Sequence, residues 1–207
     1  MSSYGSYEIL STLDFNDTAS GVYTNNIIAN STSIFTSTSS GKVYKIDSQG
    51  NKILVFNDVN KNNIQNIKTL DENNICISYD NVIKIMDLRT NASAIEKIFK
   101  ERVHSMDAFS SKLALGFELT GPDAPIRLFD IRKDFNKSQI DIIQASHHDD
   151  ITSLNIHRGD PNILLSGSVD GTCNLYDLSK YNDEILDEEV LEEVITLDSV
   201  HKCKFIN

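Results

Sequence analysis

Alternating hydrophobic and polar positions recur along the chain in short runs that end at turn residues. The clearest run extends from Asn162 to Leu178, where an apolar segment enters a Ser-Gly-Ser-Val-Asp-Gly turn and a second alternating segment leaves it. The dipeptide Asp170-Gly171 supplies the positive φ angle that tight hairpin turns need. The pattern therefore predicts a β-hairpin whose second strand ends in Tyr-Asp-Leu.

The same hairpin pattern occurs three more times upstream. An aspartate closes the outgoing strand of each copy, at Asp47, Asp87, Asp130 and Asp177, so the intervals are 40, 43 and 47 residues. A four-stranded propeller blade has a similar period of roughly 40–45 residues. Further apolar runs lie before each hairpin and after each aspartate. Because one such unit cannot bury both of its faces alone, the sequence predicts an all-β stack of four-stranded antiparallel blades.

The repeats also predict how the chain is divided. We expect an N-terminal segment over 1–21 with a closing strand, blades over about 22–57, 62–100, 102–145 and 150–198, and the first strand of a fifth blade over 199–207. Propellers contain about four to eight blades, and a ring of four would leave the extra strand unused. We therefore expect a fragment, the N-terminal part of a seven-bladed ring.

The hairpin carries a resemblance to a known family. It resembles the central hairpin of WD repeats, with Tyr176-Asp177 where that family usually has Trp-Asp. A longer stretch, from His147 through Gly171 to Cys203, is similar to the family of WD repeat-containing protein 89. The resemblance implies a WD-repeat β-propeller that acts as a non-catalytic scaffold or adaptor for protein–protein interaction. It also implies an intracellular location, in the nucleus or shared between nucleus and cytoplasm.

Two sets of residues follow from the WD-repeat resemblance. Such repeats contain a buried network of His, Ser or Thr, and Asp, whose members here would be His147, Ser166, Ser168 and Asp170, with Ser78 and Asp80 in the second copy. Partners of WD-repeat proteins often dock on one rim of the propeller. The corresponding positions in this chain are Tyr23, Ser39, Gln65, Tyr79, His104, Thr152, Val169 and His201.

Charge is unevenly distributed along the chain. The formal net charge is −11, and seven acidic residues without a basic one lie between positions 183 and 193. Like charges at this density repel one another, so the segment is expected to be a solvated loop or a short amphipathic helix. Two interpretations of this acidic insert stay open, a solubilising loop and a docking site for a basic protein.

Several classes of protein are disfavoured by composition. Cys76, Cys173 and Cys203 are widely spaced within strand patterns, which is typical of reduced thiols in an intracellular protein. No apolar stretch approaches the roughly 20 residues of a membrane span, and the first residues lack a signal-peptide pattern. Lysine and arginine do not cluster with aromatic residues, so we expect no direct binding of nucleic acid.

Catalysis and metal binding are also not expected. The run His147-His148-Asp149-Asp150 contains ligand types, but neighbours in an extended loop point to opposite sides and do not converge on one ion. The segment Ser166-Gly167-Ser168 lacks the Gly-x-Ser-x-Gly pattern of a nucleophile elbow. The sequence therefore predicts no enzyme, no metal and no cofactor. The alternative that stays open is a hydrolytic propeller that uses rim carboxylates.

Overall fold

The computed structural model describes residues 21–58, 63–133, 139–180 and 190–206, without the side chains of 140–142 and 145. The expected closing strand in the N-terminal segment and most of the acidic insert 183–193 lie outside these described residues. Within the described ranges, no helix has the length and apolar character needed to cross a membrane.

The described residues form four antiparallel sheets of four strands, which confirms the predicted all-β fold class. The first sheet contains β1 (Thr24–Ala29), β2 (Ser33–Thr38), β3 (Lys42–Asp47) and β4 (Lys52–Asn57). The second contains β5 (Asn66–Thr69), β6 (Asn74–Tyr79), β7 (Val82–Asp87) and β8 (Ala92–Ile98). The third contains β9 (Val103–Phe109), β10 (Lys112–Phe117), β11 (Ala124–Asp130) and β12 (Gln139–His147). The fourth contains β13 (Ile151–Ile156), β14 (Ile163–Ser168), β15 (Thr172–Asp177) and β16 (Leu191–Thr196), with a 3-10 helix over Leu178–Lys180.

The recurring aspartates form the turns that end the third strand of each sheet. Each carboxylate accepts a hydrogen bond from the backbone N–H two residues further on. The pairs are Asp47–Gln49, Asp87–Arg89, Asp130–Arg132 and Asp177–Ser179. This is the local turn that aspartate favours after a strand. At Asp87 the guanidinium of Arg89 also binds the carboxylate and lowers its pKa to about 2.

Apolar side chains fill the space between neighbouring sheets. Separate clusters join the first sheet to the second, the second to the third, and the third to the fourth. On the other side of the fourth sheet, residues 199–206 run beside β13 without forming a ladder. The N–H of Cys203 binds the Ser153 hydroxyl, and the N–H of Phe205 binds the Asn155 side chain, both at 3.0 Å.

A buried carboxylate on β9 connects three of the four sheets. Asp107 is fully buried, and its oxygens lie 2.9 Å from Lys68 Nζ on β5 and 3.0 Å from Arg158 Nη2 after β13. The N–H of Ile156 donates to the same carboxylate at 2.8 Å. A buried charge needs such partners to offset its lost hydration. Asp107 was not predicted from the sequence, where its signal is an acidic residue between Met106 and Ala108 in the apolar pattern of β9.

Candidate functional site

His147 lies at the centre of a buried hydrogen-bond network at one end of the fourth sheet. Its Nδ1 atom is 3.1 Å from Asp170 Oδ2 and 2.9 Å from Thr172 Oγ1, and its Nε2 atom is 2.6 Å from Ser166 Oγ. Because a carboxylate can only accept, Nδ1 carries the proton and Nε2 accepts from the Ser166 hydroxyl. Burial lowers the pKa of His147, although the negative charge of Asp170 acts in the opposite direction. The lowered pKa favours the neutral ring.

Asp170 holds the turn that faces the histidine. Its carboxylate accepts from the N–H of Thr172 at 2.8 Å, from the Thr172 hydroxyl at 2.7 Å and from the N–H of His148 at 2.9 Å. Burial favours the neutral acid, but these hydrogen bonds outweigh it and keep the pKa of Asp170 below its ordinary value. Gly171 follows with a φ of 85°, and a Cβ there would lie 2.8 Å from the Leu197 carbonyl oxygen. The turn therefore requires glycine at this position.

Ser168 was predicted as a member of this network, but its hydroxyl does not contact His147 in the structure. The Ser168 hydroxyl donates to the Asp149 carbonyl at 3.0 Å and accepts from the N–H of Asp170 at 3.1 Å, so it stabilises the turn. The serine that binds His147 is Ser166. The Tyr176 hydroxyl donates to the Ser146 carbonyl at 3.3 Å. Thr172 takes part instead, and the Thr that follows Asp170-Gly171 was the available signal.

The connectivity of Ser166, His147 and Asp170 is that of a catalytic triad. A triad acts only if its hydroxyl can reach a substrate carbonyl. Here Ser166 is fully buried and His147 is 2% exposed, because the two side chains meet between the third sheet, which carries His147, and the fourth, which carries Ser166. The arrangement can join β12, β14 and the turn at Asp170, but its hydroxyl has no path to a substrate in solution.

The second sheet corrects the predicted network, because Ser78 and Asp80 have different partners. Asn66 Nδ2 donates to Ser78 Oγ at 3.1 Å and to the His104 carbonyl at 3.2 Å. Asp80 has a φ of 51° and forms an exposed ion pair with Arg102 at 2.8 Å. The physical reason is the missing histidine before β5: without it, the turn carboxylate is drawn to the guanidinium of the next sheet.

The backbones of all eight predicted rim residues lie at one end of the sheets, which we call the upper rim. Its described loops and turns are 39–41, 63–65, 80–81, 99–102, 118–123, 148–150, 169–171 and 197–200. Tyr23, Val169 and His201 are exposed there. Of these, Tyr23 is the largest, and its backbone pairs with that of Ser39 at 2.9 Å. The upper rim therefore presents both an aromatic and an aliphatic side chain to solvent.

Three other rim residues are partly occupied by contacts within the protein. His104 Nε2 lies 3.2 Å from Asp150 Oδ2. The Thr152 hydroxyl is within hydrogen-bond distance of the Val200 carbonyl oxygen. The Gln65 backbone carbonyl accepts from the Asn26 side chain at 3.2 Å. These residues connect neighbouring sheets, and their polar groups are less available to a partner than the exposed side chains.

Tyr79 corrects the predicted rim, because it lies in the interior. Its side chain is 7% exposed and stacks on Phe56, with ring centroids 5.9 Å apart. Alternate residues of a strand share a face, so Tyr79 lies on the same side of β6 as buried Ile77. The aromatic ring thus packs between the first two sheets and is unavailable as an anchor for a partner.

The run from His147 to Asp150 separates in the folded chain. His147 points inward, whereas His148 Nδ1 lies 2.8 Å from Asp123 Oδ1 in another loop. Asp150 Oδ1 accepts from the N–H of Leu119 at 2.7 Å. Among the residues that the structure describes, no group of three or more His, Cys, Asp or Glu is arranged to hold a metal ion.

Solved structures resemble this arrangement of sheets over most of the chain. A chain in the crystal structure of the mitotic checkpoint complex superposes with a TM-score of 0.65 at 16% identity, covering 93% of this chain and 59% of that one. Raptor from Chaetomium thermophilum superposes with a TM-score of 0.66 at 16% identity, covering 86% of this chain and 17% of that one. With these neighbours, the four sheets are blades of a β-propeller.

Sequence comparison finds relatives of this chain among WD repeat-containing proteins. An uncharacterized WD repeat-containing protein of Saccharomyces cerevisiae is 41% identical over 129 residues, which is 60% of this chain and 31% of that protein. Another from Schizosaccharomyces pombe is 30% identical over 153 residues, 70% of this chain and 46% of that protein. The WD repeat-containing protein 89 homolog of Dictyostelium discoideum is 27% identical over 166 residues, 79% and 43% respectively. No family model matches the chain.

These relatives confirm the resemblance seen in the hairpins. The chain belongs to the WD-repeat proteins, a family whose members are generally non-catalytic scaffolds for protein interaction. Its match spans less than half the length of each of these three relatives.

Proposed function

We propose that this chain is a non-catalytic scaffold or adaptor that binds other proteins through its upper rim. The observation that carries the proposal is the contrast between Ser166, which is buried within a triad-like network, and Tyr23 and Val169, which are exposed on the rim. Tyrosine is enriched among the residues that supply most of the binding energy in protein interfaces, and covering an exposed aliphatic side chain adds a hydrophobic contribution. The similarity to a chain of the mitotic checkpoint complex, a protein assembly by its name, agrees with partners that are proteins.

An affinity purification with matched variants tests this proposal. The wild-type chain is compared with a Tyr23→Ser, Val169→Ser double variant and with Ile53→Ser, which removes a similarly exposed side chain from the outer strand β4. Stoichiometric partners should be retained by the wild type and by Ile53→Ser, and lost from the double variant. Equal recovery by all three proteins would refute binding through the upper rim.

The competing function is a hydrolytic propeller with carboxylates on the rim. Asp80, Asp150 and Asp170 each have partners within the protein, which favours structural roles for them. Assays with ester, peptide and glycoside substrates should give no turnover above a heat-denatured control. Turnover that a single Asp→Asn substitution on the upper rim abolishes would overturn the non-catalytic assignment.

An intracellular location, nuclear or shared with the cytoplasm, is part of the proposal. The thiols of Cys76, Cys173 and Cys203 are free, as expected in a reducing compartment. Burial raises the pKa of Cys203 to about 11, so its reactive thiolate is suppressed. Fluorescence microscopy of the tagged protein should show signal inside cells, and exclusive secretion would contradict the assignment.

A further inference from the structure

Three exposed aliphatic side chains lie on the upper rim where the third and fourth sheets meet. Leu119, Val169 and Leu197 are 37%, 38% and 58% exposed. Asp150 joins the first two, because its carboxylate accepts from the N–H of Leu119 at 2.7 Å and its carbonyl accepts from the N–H of Val169 at 3.1 Å. Leu197 lies across the same turn, where its N–H donates to the Gly171 carbonyl at 2.6 Å. We call these three side chains the rim patch.

The charge around the rim patch is strongly one-sided. In the described loops and turns of the upper rim, eight acidic residues stand against two basic ones. The acids are Asp80, Glu101, Glu118, Asp123, Asp149, Asp150, Asp170 and Asp198, and the bases are Lys100 and Arg102. Four of the acids belong to the same loops as the rim patch, and Asp149 and Asp150 lie in the loop 148–150 that contacts two of those loops. A surface of one sign favours a partner of the other sign and rejects like charge.

The opposite end of the sheets is closer to neutral. The described lower loops and turns are 30–32, 48–51, 70–73, 88–91, 110–111, 131–133, 157–162 and 178–180, which contain three acidic and five basic residues, and the four aspartates that end β3, β7, β11 and β15 bring the acidic residues to seven. The acidic character is therefore a property of the upper rim, beyond the negative net charge of the whole chain.

We propose that the rim patch binds a basic segment of a partner protein that also carries aliphatic side chains. The inference rests on the proposed function and specifies the chemistry of its partner. Aliphatic residues of the segment would cover Leu119, Val169 and Leu197, and flanking lysine or arginine residues would face the surrounding carboxylates. An acidic segment would meet repulsion at the same place, so the charge pattern provides specificity as well as attraction.

Direct binding to synthetic peptides tests the chemistry without a natural partner. The main probe is a fluorescent peptide in which lysine and leucine residues are separated by serine. A second peptide replaces each lysine by glutamate, and a third replaces each leucine by serine. Anisotropy should show binding of the lysine–leucine peptide to the wild-type chain, at least about tenfold weaker binding of both others, and weakening with added salt, where tenfold corresponds to about 1.4 kcal/mol.

Variants locate the binding surface. Val169→Ser with Leu197→Ser should weaken binding of the lysine–leucine peptide at least about tenfold, because the apolar area that the peptide covers is reduced at two positions. Asp198→Lys should weaken it at least about threefold by reversing one exposed charge. The controls are Ile53→Ser on the outer strand and Glu72→Lys on the lower rim, which should stay within about twofold of the wild type. Melting curves show that each variant is folded.

The outcomes separate this inference from the proposed function. Equal affinity for the lysine and glutamate peptides, or equal losses in the rim and control variants, would overturn the inference. So would undetectable binding of the lysine–leucine peptide, even if natural partners are lost from the Tyr23→Ser, Val169→Ser variant. Partners that are retained by that variant would instead refute the proposed function.

Discussion

The second and fourth blades hold the same turn by different chemistry. In the fourth blade, Asp170 binds buried His147, which in turn binds the Ser166 hydroxyl. In the second blade, Asp80 forms an ion pair with Arg102, and the Ser78 hydroxyl accepts a hydrogen bond from the Asn66 side chain. Both turns nevertheless connect well-paired strands. The hairpin therefore forms without the histidine, and the histidine instead satisfies polar groups that are buried between neighbouring sheets.

The largest expected loss of stability comes from a residue of the third blade that contacts both the second and the fourth. Asp107→Ala should lower the free energy of unfolding by about 2–4 kcal/mol, because the buried N–H of Ile156 loses its acceptor and the partly exposed Lys68 and Arg158 lose their counter-charge. Urea denaturation followed by circular dichroism measures the change. Glu72→Ala, which removes an exposed carboxylate, should stay within about 0.5 kcal/mol of the wild type. Similar losses in the two variants would show that the buried contacts contribute little.

The next largest effect separates the two turns. Asp170→Asn should lower the free energy of unfolding by about 1–3 kcal/mol, because one acceptor oxygen becomes an amide donor that faces the N–H groups of His147 and His148. The same denaturation experiment measures it, with Asp123→Asn in a partly exposed pair as the control. If Asp170→Asn is as stable as the wild type, the network around His147 does not stabilise the fourth blade.

Acid should weaken the fourth blade through His147. The pKa of His147 is lowered in the folded chain. As the pH falls below about 6.5, the ordinary pKa of histidine, the unfolded chain therefore binds a proton at this residue more readily than the folded chain does. The free energy of unfolding should therefore fall as pH falls below about 6.5, and the lowered pKa of Asp170 adds a further loss below about 3.9. Denaturation at several pH values measures the slope, which should be smaller in His147→Gln. An NMR titration of His147 with its midpoint above 6.5 would contradict the sign.

The smallest effect is expected in the second blade. Asp80→Asn should change the free energy of unfolding by less than about 1 kcal/mol, because the ion pair with Arg102 is half exposed and screened by solvent. Asparagine also tolerates the positive φ of this position. Parallel measurement with Asp170→Asn gives the comparison directly. If Asp80→Asn is the more damaging of the two, the buried network is not what distinguishes the blades.

Much of the fold could be predicted from the sequence, because its signals are local. The aspartate that closes each hairpin accepts a hydrogen bond from a backbone N–H only two residues away, at Asp47 as at Asp177. Because this contact is local, the repeat of the aspartate could be recognised in the sequence. The pairing of His147 with Ser166 and Asp170 came from family resemblance. Spacing alone would not have chosen Ser166 over Ser168, since both lie on β14 and only the packing of the third sheet decides between them.

The residues that sequence reasoning misplaced depend on contacts between blades. Tyr79 follows the alternation of β6 and packs on Phe56, which belongs to a different sheet. Asp107 meets partners on both neighbouring sheets at separations of 39 to 51 residues. Asp80 turns toward Arg102 because no histidine precedes β5. Each outcome is set by side chains far away in the chain, which a pattern within one repeat does not contain.

The carboxylate of Asp107 has a consequence for how the stack opens. Repeat arrays are commonly described as units coupled to their nearest neighbours, each able to fray from an end. Here one side chain in the third blade holds both Lys68 and Arg158, so opening that blade releases the contacts on its two sides together. Amide hydrogens of β5, β9 and β13 should then exchange with solvent as one cooperative unit, whereas those of the outer strand β8 exchange independently.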